Sequence, residues 1–280
     1  MHNSYNIIAD MAVSSLLEEV ETTPKPGLVD IRNSGAHSDM DYPLFVQSSN
    51  SLRAYFAECA KLGSMGLSMK ELAQNLRKAG IAAEKKMFET TRGVNTQKGL
   101  VFSMGIVCAG FSSLVAEKSQ IDDSSLKERF AQISSSLLEN EKTADSNGLR
   151  ALTATGIGGI RKEALSGFET CFEQGIGTLR KSFEKGRTSN GAAVEALLAL
   201  ISFCEDSNVV HRGGTAALHF VRERAKEILS RDYEEETLLK KTSQFDDECI
   251  ERNISPGGAA DLLALTLMIH KITTQKERLL

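Results

Sequence analysis

The sequence has no tryptophan, few aromatic residues and no cluster of basic residues. Aromatic side chains make up 6% of the 280 residues, the 33 Lys and Arg are spread along the chain, and the formal net charge is -4. Proteins that bind DNA or RNA usually present a basic face, and many stack bases on aromatic rings. We therefore expect no nucleic-acid partner.

Cysteine is also scarce. The five cysteines are far apart and form no C-x-x-C pair, which argues against a zinc site and against a disulfide framework. Residues 1–13 lack the basic start of a secretory signal, and Asp10 interrupts their apolar residues. Reduced thiols and the missing signal lead us to expect a cytoplasmic protein.

Only four prolines occur, and each lies where a loop or a helix start is predicted. Apolar residues recur at helical spacing nearly everywhere, for example at Leu262, Leu265 and Ile269. This pattern predicts an all-α, single-domain multi-helix bundle over residues 1–280. Helices are expected near 5–20, 42–62, 69–89, 100–116, 124–139, 190–204, 215–229, 233–251 and 262–272.

The segment 100–116 is uncharged and nearly long enough to cross a membrane. It contains two Gly and three Ser, however, and no comparable segment accompanies it. We therefore expect a buried central helix and no membrane partner.

Several predicted connections are long and rich in Gly, Asn, Ser and charged residues, whereas turns in helical bundles are usually short and plain. They lie at 24–41, 91–99, 156–163, 207–214 and 253–258. Polar glycine loops of this kind are candidates for binding sites.

The first of these loops contains Lys25, His37, Asp39 and Asp41. Mg²⁺ typically takes one or two carboxylates, with phosphate oxygens and water in its other positions, so Asp39 and Asp41 are candidate metal ligands. Alternatively, Asp41 only caps the helix that begins at Tyr42. The neighbouring His37 favours a chemical role for the loop.

The second loop carries Asn95 and Lys98 directly before the most apolar helix. A lysine in the first turn opposes the helix dipole, so a bound anion is expected beside Lys98, although a solvated lysine is the simpler alternative. The loop has no Gly-Lys-Ser/Thr at the Walker A spacing.

In the third loop, the glycines at 156, 158 and 159 superficially suggest a dinucleotide fingerprint. Arg161 stands where a third glycine of the motif is needed, and no strand precedes the loop, so we reject that interpretation. Arg161 is instead a candidate phosphate contact, oriented by Glu163. The alternative is a surface charge pair on a helix.

The last two loops combine glycine pairs with polar groups. Arg212 precedes two glycines, which either allow close approach of a ligand or end a helix. After Ser255, Gly257 and Gly258 each weaken a helix by about 1 kcal/mol relative to alanine, which indicates a close ligand or a close helix. We favour phosphate binding there. Together the loops predict that several helix ends converge on one metal-bound nucleoside triphosphate.

From about Glu19 to Leu267, the chain resembles the triphosphoribosyl-dephospho-coenzyme A synthase family. The resemblance depends on the ordered motifs TPKPGLVD at 23–30, GAHSDMD at 35–41, GVNTQKG at 93–99, GIRKEA at 159–164, DSN at 206–208, RGG at 212–214 and SPGGAADLLA at 255–264.

The resemblance implies an all-helical enzyme that uses ATP, 3′-dephospho-coenzyme A and Mg²⁺. The 2′-hydroxyl of the acceptor ribose would attack C1′ of ATP, adenine would leave, and the triphosphate would stay intact. The product would become the prosthetic group of citrate lyase or malonate decarboxylase. A homodimer is one candidate assembly.

On this reading Asp39 and Asp41 hold the metal, and His37 transfers a proton. The catalytic set is His37, Asp39, Asp41 and Glu163, and nearby carboxylate charge favours an oxocarbenium-like state. The substrate-binding candidates are Lys25, Asn95, Lys98, Arg161, Asn208, Arg212, Ser255, Gly257, Gly258 and Asp261.

Two positions depart from the family pattern. Gln97 and Asn147 stand where histidines are expected, and neither residue titrates near neutral pH. Two alternatives therefore stay open: a related N-ribosyl transferase or hydrolase with another acceptor, and an ATP-binding protein that has lost catalysis.

Overall fold

The computed structural model describes residues 2–139 and 158–275, and over these residues the chain forms helices and no β-strand. This confirms the predicted all-α class. The helices are α1 His2–Glu21, α2 Tyr42–Ser51, α3 Arg53–Gly63, α4 Met69–Thr90, α5 Lys98–Ala116, α6 Asp123–Glu139, α7 Gly159–Leu165, a π-helical segment Cys171–Ile176, α8 Gly177–Glu184, α9 Ser189–Phe203, α10 Ser207–Leu229, α11 Glu235–Glu251 and α12 Gly257–Gln275.

Three apolar helices, α5, α9 and α12, form the centre, with α12 packed against both of the others. Helix α5 is long and apolar enough to cross a membrane by length and composition, but 78% of its apolar window is buried inside the fold. The expected central buried helix is therefore confirmed.

Some predicted boundaries were wrong. The helix expected at 42–62 is two helices that meet at Leu52. The loop expected at 207–214 forms the first turns of α10, which is kinked at Gly214 (φ +70°). The chain turns helical at once because the Asp206 carboxylate accepts hydrogen bonds from the first-turn amides of Asn208 and Val209.

The long loop between α1 and α2 is held in shape by buried Asp30. Its carboxylate accepts hydrogen bonds from the Thr23 hydroxyl and from the backbone amides of three loop residues, Lys25, Arg32 and Asn33. Gly27 takes a positive φ of 66°, and a Cβ there would lie 2.0 Å from the carbonyl oxygen of Ile254. Only glycine fits this contact between the loop and the α11–α12 connection.

Asp246 of α11 fixes this loop to the rest of the fold. Its buried carboxylate accepts hydrogen bonds from the Gly27 amide at 2.9 Å, the Arg32 guanidinium at 2.7 Å and the Asn33 side-chain amide at 2.9 Å. Burial raises the pKa of Asp246, while these donors lower it. One side chain of α11 thus positions a loop more than 200 residues earlier in the sequence.

We expect Asp246→Asn to destabilise the protein by about 2–3 kcal/mol, since an amide group would meet donors that need an acceptor. The matched control is Asp247→Asn, because Asp247 is the exposed neighbour on the same helix. Urea unfolding measures both. Equal midpoints for the two variants would contradict the anchoring role of Asp246.

Candidate active site at three helix starts

A cavity of about 520 Å³ opens where the starts of α5, α10 and α12 meet the loop between α1 and α2. Ten of the predicted site residues line it: Lys25, His37, Asp39, Asn95, Lys98, Asn208, Arg212, Ser255, Gly257 and Asp261. Glu19 and His211 also line it and were not predicted. Glu19 lies outside the predicted loops, whereas His211 lies within 207–214 beside Arg212 and could have been included on that ground.

The starts of α10 and α12 are joined by the buried side chain of Asp206. Besides capping α10, its carboxylate accepts a hydrogen bond from the Ala259 amide at 3.1 Å. Burial raises the pKa of Asp206, and backbone hydrogen bonds from α10 and α12 lower it. A protein carboxylate therefore occupies the start of α12, where we had expected phosphate.

This contact corrects the prediction for Gly258, which does not line the cavity. A Cβ on Gly258 would lie 3.0 Å from the Asp206 carboxylate, and one on Gly257 would lie 2.9 Å from the Asn208 side-chain amide. Side chains from the start of α10 are therefore the close neighbours of this glycine pair.

At the start of α5, the Lys98 ammonium lies 3.1 Å from the Glu84 carboxylate of α4. The anion expected beside Lys98 is thus a protein side chain. Asn95 satisfies the Lys98 backbone amide through its side-chain oxygen at 3.2 Å. Lys98 still lines the cavity, half exposed, at its α5 wall.

Lys25 and Glu19 form an ion pair in the interior wall of the cavity. Their side chains are 2% and 3% exposed, and the Lys25 ammonium donates a hydrogen bond to the Glu19 carboxylate. Burial raises the pKa of Glu19, and Lys25 opposes that shift. A buried lysine of this kind is retained where it has a carboxylate partner.

Toward solvent, His37 lies between Arg212 and Ser255. The Arg212 guanidinium donates to Nδ1 at 3.1 Å, and Nε2 lies 2.8 Å from the Ser255 hydroxyl oxygen. Because arginine only donates, the hydrogen of the neutral ring belongs on Nε2 and points at Ser255. Burial, then Arg212, lowers the pKa of His37, which favours this neutral form.

Arg212 itself is held by neutral acceptors. Its guanidinium donates to the carbonyl of Ala36 at 2.9 Å, the side-chain oxygen of Asn253 at 3.0 Å and the ring of His37. Among the residues that the structure describes, no carboxylate lies within 4.0 Å of it. Its positive charge is therefore positioned without being neutralised, which suits it to bind an anion.

The two predicted metal ligands, Asp39 and Asp41, lie in different surroundings. Asp41 is exposed and caps α2, accepting a hydrogen bond from the Leu44 amide at 2.9 Å, and it does not line the cavity. This corrects its assignment to the site. Asp39 lines the cavity mouth, 3.6 Å from Nδ1 of His37. Within the described ranges no three His, Cys, Asp or Glu side chains gather as a metal site.

Arg161 and Glu163, on α7, are not among the described residues that line the cavity. Glu163 faces the protein interior: one carboxylate oxygen accepts from the Thr170 hydroxyl at 2.7 Å, and burial raises its pKa. It connects α7 to the π-helical segment. Local spacing suggested a phosphate contact, but the packing of α7 against α6 turns Glu163 inward.

Gln97, where the resemblance led us to expect histidine, has a buried side chain that bonds to two serines of α2. Its amide oxygen accepts from the Ser48 hydroxyl at 2.8 Å, and its amide nitrogen donates to the Ser49 hydroxyl at 2.9 Å. These bonds fasten α2 to the start of α5. The second position, Asn147, lies outside the described residues.

We expect Gln97→Ala to lower Tm by about 4–8 °C, since about 2 kcal/mol is lost when both serines lose a buried partner. Gln47→Ala is the matched control because Gln47 is exposed on α2. Calorimetry measures both transitions. A Tm for Gln97→Ala within a degree of the control would show that the amide does not hold the helices together.

Comparisons of the sequence with known proteins point to one enzyme family. The sequence model of the ATP:dephospho-CoA triphosphoribosyl transferase family matches residues 6–278. A probable 2-(5″-triphosphoribosyl)-3′-dephosphocoenzyme-A synthase from Vibrio cholerae is 35% identical over 95% of this chain and 88% of its own length. The synthase from Pectobacterium atrosepticum is 36% identical over 93% of this chain and 87% of its own length.

Protein CitXG of Haemophilus influenzae is 36% identical over 95% of this chain, which spans 60% of that longer protein. No solved structure matches the chain significantly. A family match over nearly the whole length, together with these identities, shows that the chain belongs to the ATP:dephospho-CoA triphosphoribosyl transferase family.

Proposed function

We propose that this protein transfers the 5-triphosphoribosyl group of ATP to the ribose 2′-hydroxyl of 3′-dephospho-coenzyme A, with release of adenine. The family and its named relatives supply the reaction class. The observation that carries the assignment to this cavity is Arg212, a cation fixed at the mouth by neutral acceptors and left without a carboxylate partner.

The cavity is asymmetric in charge, and this asymmetry supports one orientation of ATP. Arg212 and Ser255 at the mouth suit the triphosphate. The cation in the interior wall, Lys25, is already paired with Glu19. The interior wall, where Lys25 and Glu19 neutralise each other, suits the uncharged sugar and base. The triphosphate would then serve as a handle while the glycosidic bond breaks farther in.

The hydrogen bonds of His37 favour a positioning role. With Nε2–H directed at the Ser255 oxygen, the serine hydroxyl hydrogen is released to donate to a phosphate oxygen. With Nδ1 accepting from Arg212, the ring has no lone pair free to remove a proton from the acceptor. His37 would thus orient both phosphate-binding groups.

For Mg²⁺, the residues present fit an ion that arrives on the nucleotide. Asp39 is the one cavity-lining carboxylate at the mouth, and a single carboxylate is enough for Mg²⁺ held mainly by phosphates and water. When bound, the ion would neutralise phosphate charge. Asp41 has no part in this proposal because it caps α2.

The product would be the precursor of the prosthetic group of citrate lyase or malonate decarboxylase, made in the cytoplasm. A hydrolase acting on the same bond would release adenine without an acceptor, and a protein without catalysis would bind ATP unchanged. These outcomes separate the three functions.

We expect adenine to be released only when ATP, Mg²⁺ and 3′-dephospho-coenzyme A are all present. Chromatography of the reaction mixture measures the adenine.

Arg212→Ala should raise KM for ATP by about 10- to 100-fold, because a charge-assisted contact is lost. Arg231→Ala, at an exposed position on a distant turn, is the matched control. Unchanged KM in Arg212→Ala would argue against a triphosphate at the mouth.

A second prediction concerns Mg²⁺. Asp39→Asn should raise the Mg²⁺ concentration for half-maximal rate by about 3- to 10-fold, since the ion loses one charged ligand. Asp41→Asn should leave that concentration unchanged. The reverse result, with sensitivity at Asp41 alone, would contradict the assignment of Asp39 as the ligand.

A further inference from the structure

Among the described residues that line the cavity, one carboxyl group in the interior has no partner. Glu19 is paired with Lys25, and Asp206 accepts backbone hydrogen bonds. Asp261, on the second turn of α12, lines the same cavity and makes no hydrogen bond or ion pair within the described part of the chain. Asp261 is half-buried, and a carboxyl group that the fold leaves unpaired beside a cavity calls for a functional reason.

The surrounding backbone leaves space for this carboxyl group. A Cβ on Gly99 of α5 would lie 2.0 Å from Oδ2 of Asp261, so the oxygen rests directly against the α5 backbone. Asp261 does not cap α12 either, because Asp206 takes the Ala259 amide at that helix start. Its carboxyl group is therefore not engaged by the fold and adjoins the space for ligand.

The charges around Asp261 oppose its ionisation. Burial, then the carboxylates of Glu19 on α1 and Asp206 at the start of α10, raises the pKa of Asp261 well above its usual value. The cations on the same cavity wall are already engaged: Lys25 with Glu19 and Lys98 with Glu84. Arg212 and neutral His37 are bonded to each other at the mouth. Burial and the neighbouring carboxylates thus favour the protonated form of Asp261, which is the form that can give a proton.

We infer that Asp261 is the catalytic acid that protonates the departing purine. The inference rests on the proposed function. As the acceptor oxygen bonds to C1′, the electron pair of the C1′–N bond goes to the base, and the Asp261 proton goes to a ring nitrogen of that base. The acceptor hydroxyl loses its proton to solvent, and Asp261 regains one from solvent, so protons and charge balance.

The principal test is Asp261→Asn. Asparagine has the shape of the neutral acid and cannot donate a titratable proton, so the fold and ATP binding should persist. With ATP, kcat should fall by about 10²- to 10⁴-fold, the usual worth of general acid catalysis. Calorimetry should give a Kd for ATP within about threefold of wild type. Asp247→Asn, at an exposed position, is the matched control.

A substrate with a different leaving group separates acid catalysis from positioning. In nicotinamide riboside 5′-triphosphate the base is a pyridinium and leaves neutral without a proton. Asp261→Asn should therefore lose at most about threefold in kcat with this substrate, because the general acid term no longer applies. An equal loss with both nucleotides would overturn the assignment.

The wild-type enzyme offers a test that needs no variant. Because the proton donor is the protonated form, kcat with ATP should decline as pH rises through the raised pKa of Asp261, and this decline should be absent with the pyridinium substrate. A rate that instead falls on the acid side would make Asp261 a base and refute the inference.

If wild type releases no adenine from ATP, the proposed function fails. If it does and Asp261→Asn is within about threefold of wild type, only this inference fails.

Discussion

The site depends on one buried carboxylate, that of Asp206. It accepts amide hydrogen bonds from the starts of two helices, α10 and α12, and so holds those starts side by side. Burying a charge is costly, but several backbone donors offset much of that cost. Because the two starts are fixed, Arg212 of α10 and both Ser255 and Asp261 around α12 line a common cavity.

The second constraint is the division of charge between the mouth and the interior of that cavity. In the interior wall Lys25 is neutralised by Glu19, and burial and the neighbouring carboxylates raise the pKa of Asp261. At the mouth, Arg212 keeps its charge because it is held by neutral oxygen and nitrogen acceptors. A polyanion with an uncharged sugar and base matches this gradient if its phosphates stay outermost. Chemistry at the glycosidic bond is then placed beside the acid.

The sequence was sufficient to predict the helices and most of the polar side chains that line the cavity, because apolar periodicity and glycine-rich helix starts are local signals. It could not show which charged side chain finds a partner. Lys98 was expected to need a bound anion, yet the Glu84 carboxylate on α4 supplies that charge. Likewise, Gly258 marks a close helix rather than a ligand, since Asp206 comes from a segment about 50 residues earlier.

Residues of similar polarity also have different roles, because tertiary contacts place their side chains differently. Asp41 caps a helix while Asp39, two residues earlier, stays at the cavity mouth. Glu163 turns into the core because α7 packs on α6, and Glu19 enters the site from a helix with no motif at all. The Gln97 position illustrates the same limit. A missing histidine suggested lost chemistry, but the side chain there connects two helices.

The most direct measurement is a crystal structure with ATP and Mg²⁺ bound. The account predicts phosphate oxygens against Arg212 and Ser255, with C1′ of the ribose inward and the base within hydrogen-bonding distance of Asp261. A nucleotide bound in the smaller cavity of about 130 Å³ between α3, α4 and α5, or one with its phosphates against Glu19, would contradict it.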